Sequence, residues 1–516
     1  MTVWTLVSRV TGLARVVAIG AVLGPTFFGN VFQSTNMLPN LAYEFLTGSL
    51  FASLLVPPLV RALDKSDLRG AERLASGFLG VVLVGFALLA TAVVLLAPLV
   101  LGLLTVGVPD PEVAAQQRRV GAVLLLLVMP QLLLYGLAGT AAAAMNARGR
   151  FALAAAAPAL ENVGLICTLA VSAAVWGVGR DVGDVATAQL VVLGAGATGS
   201  VALHAGAQWY GAHRAGITLR PRAGWRDPEV RQVLRAGRAT LGHSGLNAAR
   251  VLLVVVVANS VAGGVVAFDL AVNFVNVVIA LSAKPISTAL LPRLSRLATT
   301  DLRSFRTELD RATTVMACIV LPAALCLIAL AVPLAGAVTV GEMSTERGVL
   351  LVSVSLMAVA LGALGDGAFV LGTSASYARG DARSPFVGMA LRVAVSGTGM
   401  LLALLLADGV AVLAVLGASL AVGDLASGGY LWTRVAGRLP AADGRLATGL
   451  ARALLTGAAA AGAGGLAARA ALGADVADLL AVAVGGSCAL AALIAAHAVL
   501  RSPELAWARH QLRGPR

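Results

Sequence analysis

The chain has 516 residues, 59% of them hydrophobic and only 12% charged, with a mean hydropathy of +0.89. A soluble domain carries roughly 25% charged residues, so that class is excluded and a polytopic membrane protein is implied. The net charge of +13 sits largely in loops, where membrane topology accounts for it; no nucleic-acid partner is needed, and contact with anionic membrane lipid follows.

Fourteen apolar runs approach the ~20 residues that cross a bilayer core: 3–24, 28–60, 76–104, 120–147, 151–176, 185–210, 239–261, 265–291, 312–338, 349–377, 386–407, 410–432, 446–470 and 476–500. They predict an all-α polytopic membrane protein of about 14 transmembrane helices. The first run lacks a basic leader and a small-residue cleavage site, so it reads as a retained helix. It holds Ser8-Arg9-Val10-Thr11-Gly12-Leu13-Ala14-Arg15. A charge at mid-bilayer costs about 2.5–3.5 kcal/mol on insertion scales and is tolerated when it faces a wet interior. A guanidinium binds phosphate bidentately at any accessible pH, so Arg9 and Arg15 point to an anion held inside the membrane. The alternative is snorkelling to the cytoplasmic interface, to which Arg9 is nearer than Arg15.

Loops after even-numbered runs carry the arginines: Arg61 to Arg73, Arg148 and Arg150, Arg214 to Arg238, Arg293 to Arg311, Arg379 and Arg383, Arg434 to Arg445, and the tail from Arg501. Loops after odd-numbered runs are short and mixed or acidic. The positive-inside rule then places the even loops and both termini in the cytoplasm.

Two motifs echo six runs apart. Met145-Asn146-Ala147-Arg148-Gly149-Arg150-Phe151 ends the fourth run and Tyr377-Ala378-Arg379-Gly380-Asp381-Ala382-Arg383-Ser384-Pro385-Phe386 the tenth. Leu55-Val56-Pro57-Pro58-Leu59-Val60-Arg61 likewise matches Leu291-Pro292-Arg293-Leu294-Ser295-Arg296. The echo predicts an N-terminal six-helix lobe at 1–212, a basic cytoplasmic loop at 213–238 and a C-terminal six-helix lobe at 239–440. Two additional helices at 441–500 and a basic tail at 501–516 complete the plan, with substrate handled between the lobes.

Glu44, Glu161, Asp269, Asp366 and Asp424 are intramembrane acids, each either functional or paired; the expected pairs are Glu44 with Arg9 or Arg15, and Asp366 or Asp424 with Arg392. His204 and His243 lie near run ends and read as interfacial. Cys167, Cys318, Cys326 and Cys488 have no ligand-like spacing, so neither metal nor disulfide is expected. Gly194-Ala195-Gly196-Ala197-Thr198-Gly199 spells a dinucleotide fingerprint inside an apolar run without the required strand, and reads as close helix packing. No catalytic constellation or cofactor motif emerges.

The Ser-Arg-Val-x-Gly-x-x-Arg opening, Leu38-Pro39-Asn40, Asn146 to Asn162 with Arg150, Phe151 and Pro158, and above all the Tyr377–Phe386 motif resemble the MurJ (MviN) lipid II flippases. The resemblance spans essentially the whole chain. It implies a multi-pass protein of the bacterial cytoplasmic membrane in the multidrug/oligosaccharidyl-lipid/polysaccharide exporter superfamily. Such a protein would carry an undecaprenyl-pyrophosphate-linked peptidoglycan precursor outward by alternating access, with membrane lipids and other cell-wall synthesis proteins as partners. Arg9 and Arg15 match the family's first-helix arginines, which line the cavity. Elsewhere the pattern changes: the family's second-helix arginine falls on Tyr43 or Glu44, its second-helix acid on Asn30, and its eighth-helix arginine near Asn273. Arg250 and Lys284 are candidate replacement cations, Lys284 with snorkelling as its alternative. The sodium-site asparagines of some relatives stand here as Ser396 and Met400, so sodium coupling is not carried over. Three readings stay open: a lipid-linked precursor flippase, a transport-dead homologue with a scaffolding role, and a cation-drug antiporter.

Overall fold

The computed structural model describes residues 2–47, 55–440, 445–474 and 476–500, so the basic tail predicted at 501–516 lies outside the described residues. Among the described residues the fold is built from twenty α-helices. The first unit runs through α1 (Thr2–Leu23), α2 (Phe27–Thr47), α3 (Val56–Asp64), α4 (Leu68–Leu95), α5 (Ala97–Leu104), α6 (Pro111–Val128), α7 (Gln131–Ala147), α8 (Phe151–Trp176), α9 (Thr187–Arg214) and α10 (Pro228–Ala258). Then come α11 (Gly264–Leu281), α12 (Ala283–Thr300), α13 (Leu302–Ala329), α14 (Ala331–Val338), α15 (Glu346–Ala360), α16 (Ala363–Ala378), α17 (Arg383–Leu406), α18 (Val410–Ala436), α19 (Arg445–Gly473) and α20 (Asp478–Val499).

Among the described residues, 12 helices are long and apolar enough to cross a membrane, or 13 when α15 and α16, bent by 43°, form one span. They coincide with the predicted runs except the second. There, α2 carries Asn30, Gln33, Asn36, Asn40 and Glu44, and residues 48–54 lie outside the described set. Carboxylates start several helices: Asp67, Asp110, Asp227 and Asp301 each accept a backbone N–H from the first turn that follows, supplying a partner that helix geometry leaves missing. The third and ninth runs break alike, each into a helix of 28 residues followed by one of 8, at Leu96 and at Leu330. This recurrence runs in step with the sequence echo.

Packing divides the described residues into one unit that runs to 266 and includes 341–343, and a second that runs over 267–340 and from 344 onward. The sequence echo starts a second lobe at 239, whereas packing keeps α10 with the first unit; the first division follows repetition and the second follows contact. In the first unit Ile19, Leu23, Phe28, Phe32, Leu165, Leu169 and Leu193 share one buried cluster, which clamps α1 and α2 to α8 and α9. Asn162 sets the register of α1 on α8 by donating to Ser8 O at 3.3 Å and Thr11 Oγ1 at 3.1 Å. The segment after α9 lies along the start of α4, with Thr218 N donating to Glu72 Oε1 at 2.7 Å and Arg220 N to Ser76 Oγ at 3.2 Å. Gly80 and Gly224 make that approach possible, because a Cβ on either would run into the facing backbone. The Gly194–Gly199 segment is helical within α9, where Gly194 meets Leu127 and Gly196 meets Thr168. In the second unit α17 and α18 pack along each other, as do α19 with α13 and α20.

Candidate membrane anion site

The clamp between α1 and α8 brings Arg15 beside Glu161, with Arg15 Nη1 3.7 Å from Glu161 Oε1 and side-chain exposures of 27% and 13%. Burying a carboxylate requires partners. Glu161 takes them from two other helices: Tyr135 Oη on α7 donates to Oε1 at 2.9 Å, and His204 Nδ1 on α9 lies 2.9 Å from Oε2. Glu161 is thus fixed by Tyr135 and His204, while Arg15 leans on it electrostatically. Arg15 Nε is buried without a hydrogen-bond partner. The arrangement leaves a guanidinium that is placed and partly accessible.

Arg15 is the predicted residue that the structure centres in this cluster; Glu161 is the acid beside it, where the sequence reading offered Glu44. His204 is buried and stands farther from a helix end than the sequence placed it, because α9 continues to Arg214 beyond the predicted end at 210. Tyr135 had no place in the sequence reading, although a lone phenol within an apolar run is a detectable signal. Tyr43 packs against the Tyr135 ring at 5.6 Å and the Phe86 ring at 6.1 Å. Glu44, the next residue, is exposed, as is Arg9 on α1. Arg250 is half-buried on α10.

Asn30 is fully buried, and its amide joins backbones: Nδ2 donates to Val261 O at 2.7 Å and Oδ1 accepts from Val265 N at 3.0 Å. It is a backbone staple in this conformation. Asn273 and Lys284 belong to the second unit. Asn273 Nδ2 donates to Asp269 O at 2.8 Å, and Lys284 is exposed at the start of α12.

The second unit has its own buried arginine. Arg392 Nε donates to Asp424 Oδ1 at 2.5 Å and Nη2 to Asp366 Oδ1 at 2.7 Å, while the guanidinium sits 5.1 Å from the Phe369 ring centroid. Arg392 therefore takes both candidate acids rather than one. In the Tyr377–Phe386 motif, Asp381 caps α17, accepting from Ser384 N at 2.9 Å, Arg383 N at 3.1 Å and Ser384 Oγ at 2.7 Å. Those bonds, the Ser384 backbone foremost, hold its carboxyl below the ordinary range. Arg148, from the matching motif, donates its Nε to Ala215 O at 3.0 Å.

The sequence matches the model of the family described as "Lipid II flippase MurJ" over residues 19–474. The chain belongs to that family. A probable lipid II flippase MurJ of Rhizobium meliloti (strain 1021) is 27% identical over 398 residues, covering 76% of this chain and 72% of the relative. One from Vibrio cholerae is 27% identical over 403 residues, covering 74% and 72%. Among solved structures, a lipid II flippase MurJ in an inward closed conformation matches with a TM-score of 0.73 at 16% identity, over 97% of this chain and 99% of that one. An inward-facing multidrug resistance MATE family transporter matches with a TM-score of 0.64 at 14% identity, over 86% and 95%. The fold is thus that of MurJ and MATE transporters, and the chain is a multi-pass membrane protein of a bacterial transporter family.

Proposed function

We propose that this chain moves an undecaprenyl-pyrophosphate-linked peptidoglycan precursor across the cytoplasmic membrane by alternating access, for cell-wall synthesis, with Arg15 as the principal ligand of the pyrophosphate. One observation carries the reading: Arg15 is held by a single carboxylate at 3.7 Å and keeps a buried, unpartnered Nε. A pyrophosphate losing its hydration inside the membrane needs such a fixed donor. Arg9 and Arg250, in the same unit, are further candidate ligands. Lys284 is retained as one more candidate contact; Tyr43, Glu44 and Asn273 are retained as candidate lining residues.

A second reading has its own support. At the positions of the family's second-helix acid and arginine, Asn30 staples backbones and Tyr43 packs on Tyr135 and Phe86. A transport-dead, scaffolding homologue fits that reduction in charge. Cells depleted of their own flippase decide between the two. Expression of this chain should restore precursor translocation; protein that reaches the membrane without restoring it would leave the scaffolding reading.

Both termini and the Arg214–Arg238 loop are proposed to face the cytoplasm. A cysteine placed at position 225 should resist impermeant label in intact cells, and labelling from outside would sink that orientation.

A further inference from the structure

Glu161 faces Arg15, His204 lies behind Glu161 and Gln208 behind His204, and none of the three has a part in the function proposed above. A carboxylate only accepts, so the His204 Nδ1 that lies 2.9 Å from Glu161 Oε2 carries a ring proton. On the far side of the ring, Nε2 faces Gln208 Nε2 at 3.5 Å, and that amide also donates to Ala154 O at 3.1 Å. With the Gln208 amide in this orientation, His204 Nε2 faces a donor and presents its lone pair. Arg15 and Glu161 then cancel. An anion approaching Arg15 meets a site that already contains its competitor.

Gln208 supplies a way out of that state. Its Oε1 is buried and has no hydrogen-bond partner. Half a turn of the amide would aim this oxygen at His204 Nε2 and satisfy a second ring proton, at the cost of the bond to Ala154 O. The cluster therefore has two arrangements that differ by one proton.

We propose that His204, Glu161 and Gln208 form a proton-linked counter-charge for Arg15: protonation of His204 compensates Glu161 and frees Arg15 to hold an anionic pyrophosphate. This rests on the reading of Arg15 as a pyrophosphate ligand. His204 is a positioning residue, acting on the anion through Glu161. The other groups facing the cluster are the Tyr135 hydroxyl on α7, bonded to Glu161, and the Tyr43 ring on α2, packed on Tyr135. Arg9 lies nearly two turns before Arg15 on α1. On α6, Glu112 lies at the helix start and Arg118 and Arg119 lie more than two turns before Leu127, which meets α9 at Gly194. The proton balance is simple: one proton is taken up as one pyrophosphate binds and is returned when it leaves. Anion affinity should accordingly rise as pH falls through the imidazole range.

The test uses the full chain in lipid nanodiscs with farnesyl pyrophosphate as the probe. Because the probe itself loses charge in acid, the informative quantity is affinity relative to His204→Gln at each pH. Between about pH 8 and about pH 5.5, wild type should gain about tenfold on His204→Gln, the worth of one charge at this range. Glu161→Gln should bind about tenfold tighter than wild type at about pH 8 and show no gain in acid. Histidine NMR without the probe, with His204 assigned by its loss in His204→Gln, gives an independent measure. Its proton affinity should fall in Glu161→Gln and rise in Arg15→Ala. Imidazole shifts of that sign without probe binding would remove the pyrophosphate reading and keep the proton linkage. An imidazole unmoved by both variants, or a pH dependence equal in wild type and His204→Gln, overturns the linkage.

Discussion

Arg15 in the first unit and Arg392 in the second both lie within apolar helices beside carboxylates, and their surroundings differ at every point. Arg392 is only 9% exposed, donates to two carboxylates at 2.5 and 2.7 Å, and rests on the Phe369 ring. Arg15 is 27% exposed, stands 3.7 Å from one carboxylate, and has a buried Nε without a partner. A guanidinium has five N–H donors in a fixed fork. Where two carboxylates and an aromatic face take up the fork, the charge knits helices together; where one distant carboxylate shares it, donors remain for a ligand. Availability of donors is thus what sets Arg15 apart from Arg392 and what the proposed binding role draws on.

The largest expected effect lies on the structural side. Arg392→Ala leaves Asp366 and Asp424 facing each other without their shared cation, and breaking a buried ion pair from one side costs about 3–5 kcal/mol. Purified Arg392→Ala should melt well below wild type or fail to accumulate, and Arg392→Lys should recover part of the loss. An Arg392→Ala protein that melts like wild type but no longer binds precursor would erase the distinction between the two arginines.

Arg15 should behave in the opposite way. Charge-assisted hydrogen bonds from a guanidinium to a pyrophosphate are worth about 1.5–3 kcal/mol, so on the proposed reading Arg15→Ala should weaken binding of the lipid-linked precursor roughly ten- to a hundredfold. Melting should fall less than in Arg392→Ala, because Arg15 stands off Glu161 at 3.7 Å and Tyr135 and His204 still hold that carboxylate. Arg15→Lys should recover binding in part, since an ammonium cannot make the bidentate contact. Unchanged affinity in a folded Arg15→Ala protein would move the weight to the scaffolding reading.

The spans and the arginine were legible in the sequence because each is a local property: a run of about 20 apolar residues is visible by itself, and so is a charge inside it. The partners were not. Glu44 was the nearest acid along the chain, but α1 is clamped against α8, and that packing delivers Glu161. His204 lay near an estimated helix end, and about one further turn of α9 moves it away from that end. Asn30 as a staple was invisible for a different reason. Its partners are backbone groups at Val261 and Val265, and a sequence carries no mark of which carbonyl or N–H a fold will leave in need. The strongest family motif, around Asp381, proved to be a helix start.

That helix start gives the smallest expected effect and sharpens the structural end of the comparison. Asp381 accepts from Ser384 N, Arg383 N and Ser384 Oγ, and Arg438 Nη1 lies 3.3 Å away. Losing an N-cap costs about 1 kcal/mol, so Asp381→Ala should lower stability modestly at neutral pH. The Asp381 carboxyl is held below its ordinary range in the folded protein, with the Ser384 backbone bond as the leading cause. Its contribution is therefore complete above the unfolded-state value of about 3.9 and is lost as pH falls through the lower folded value. Wild type and Asp381→Ala should differ in melting near neutrality and converge in strong acid, where both lack a charged cap. A difference that persists undiminished in acid would mean that the motif acts through the Arg379–Arg383 turn itself, and the cap would be a bystander to a conformation set by Gly380, whose φ of 72° few other residues adopt.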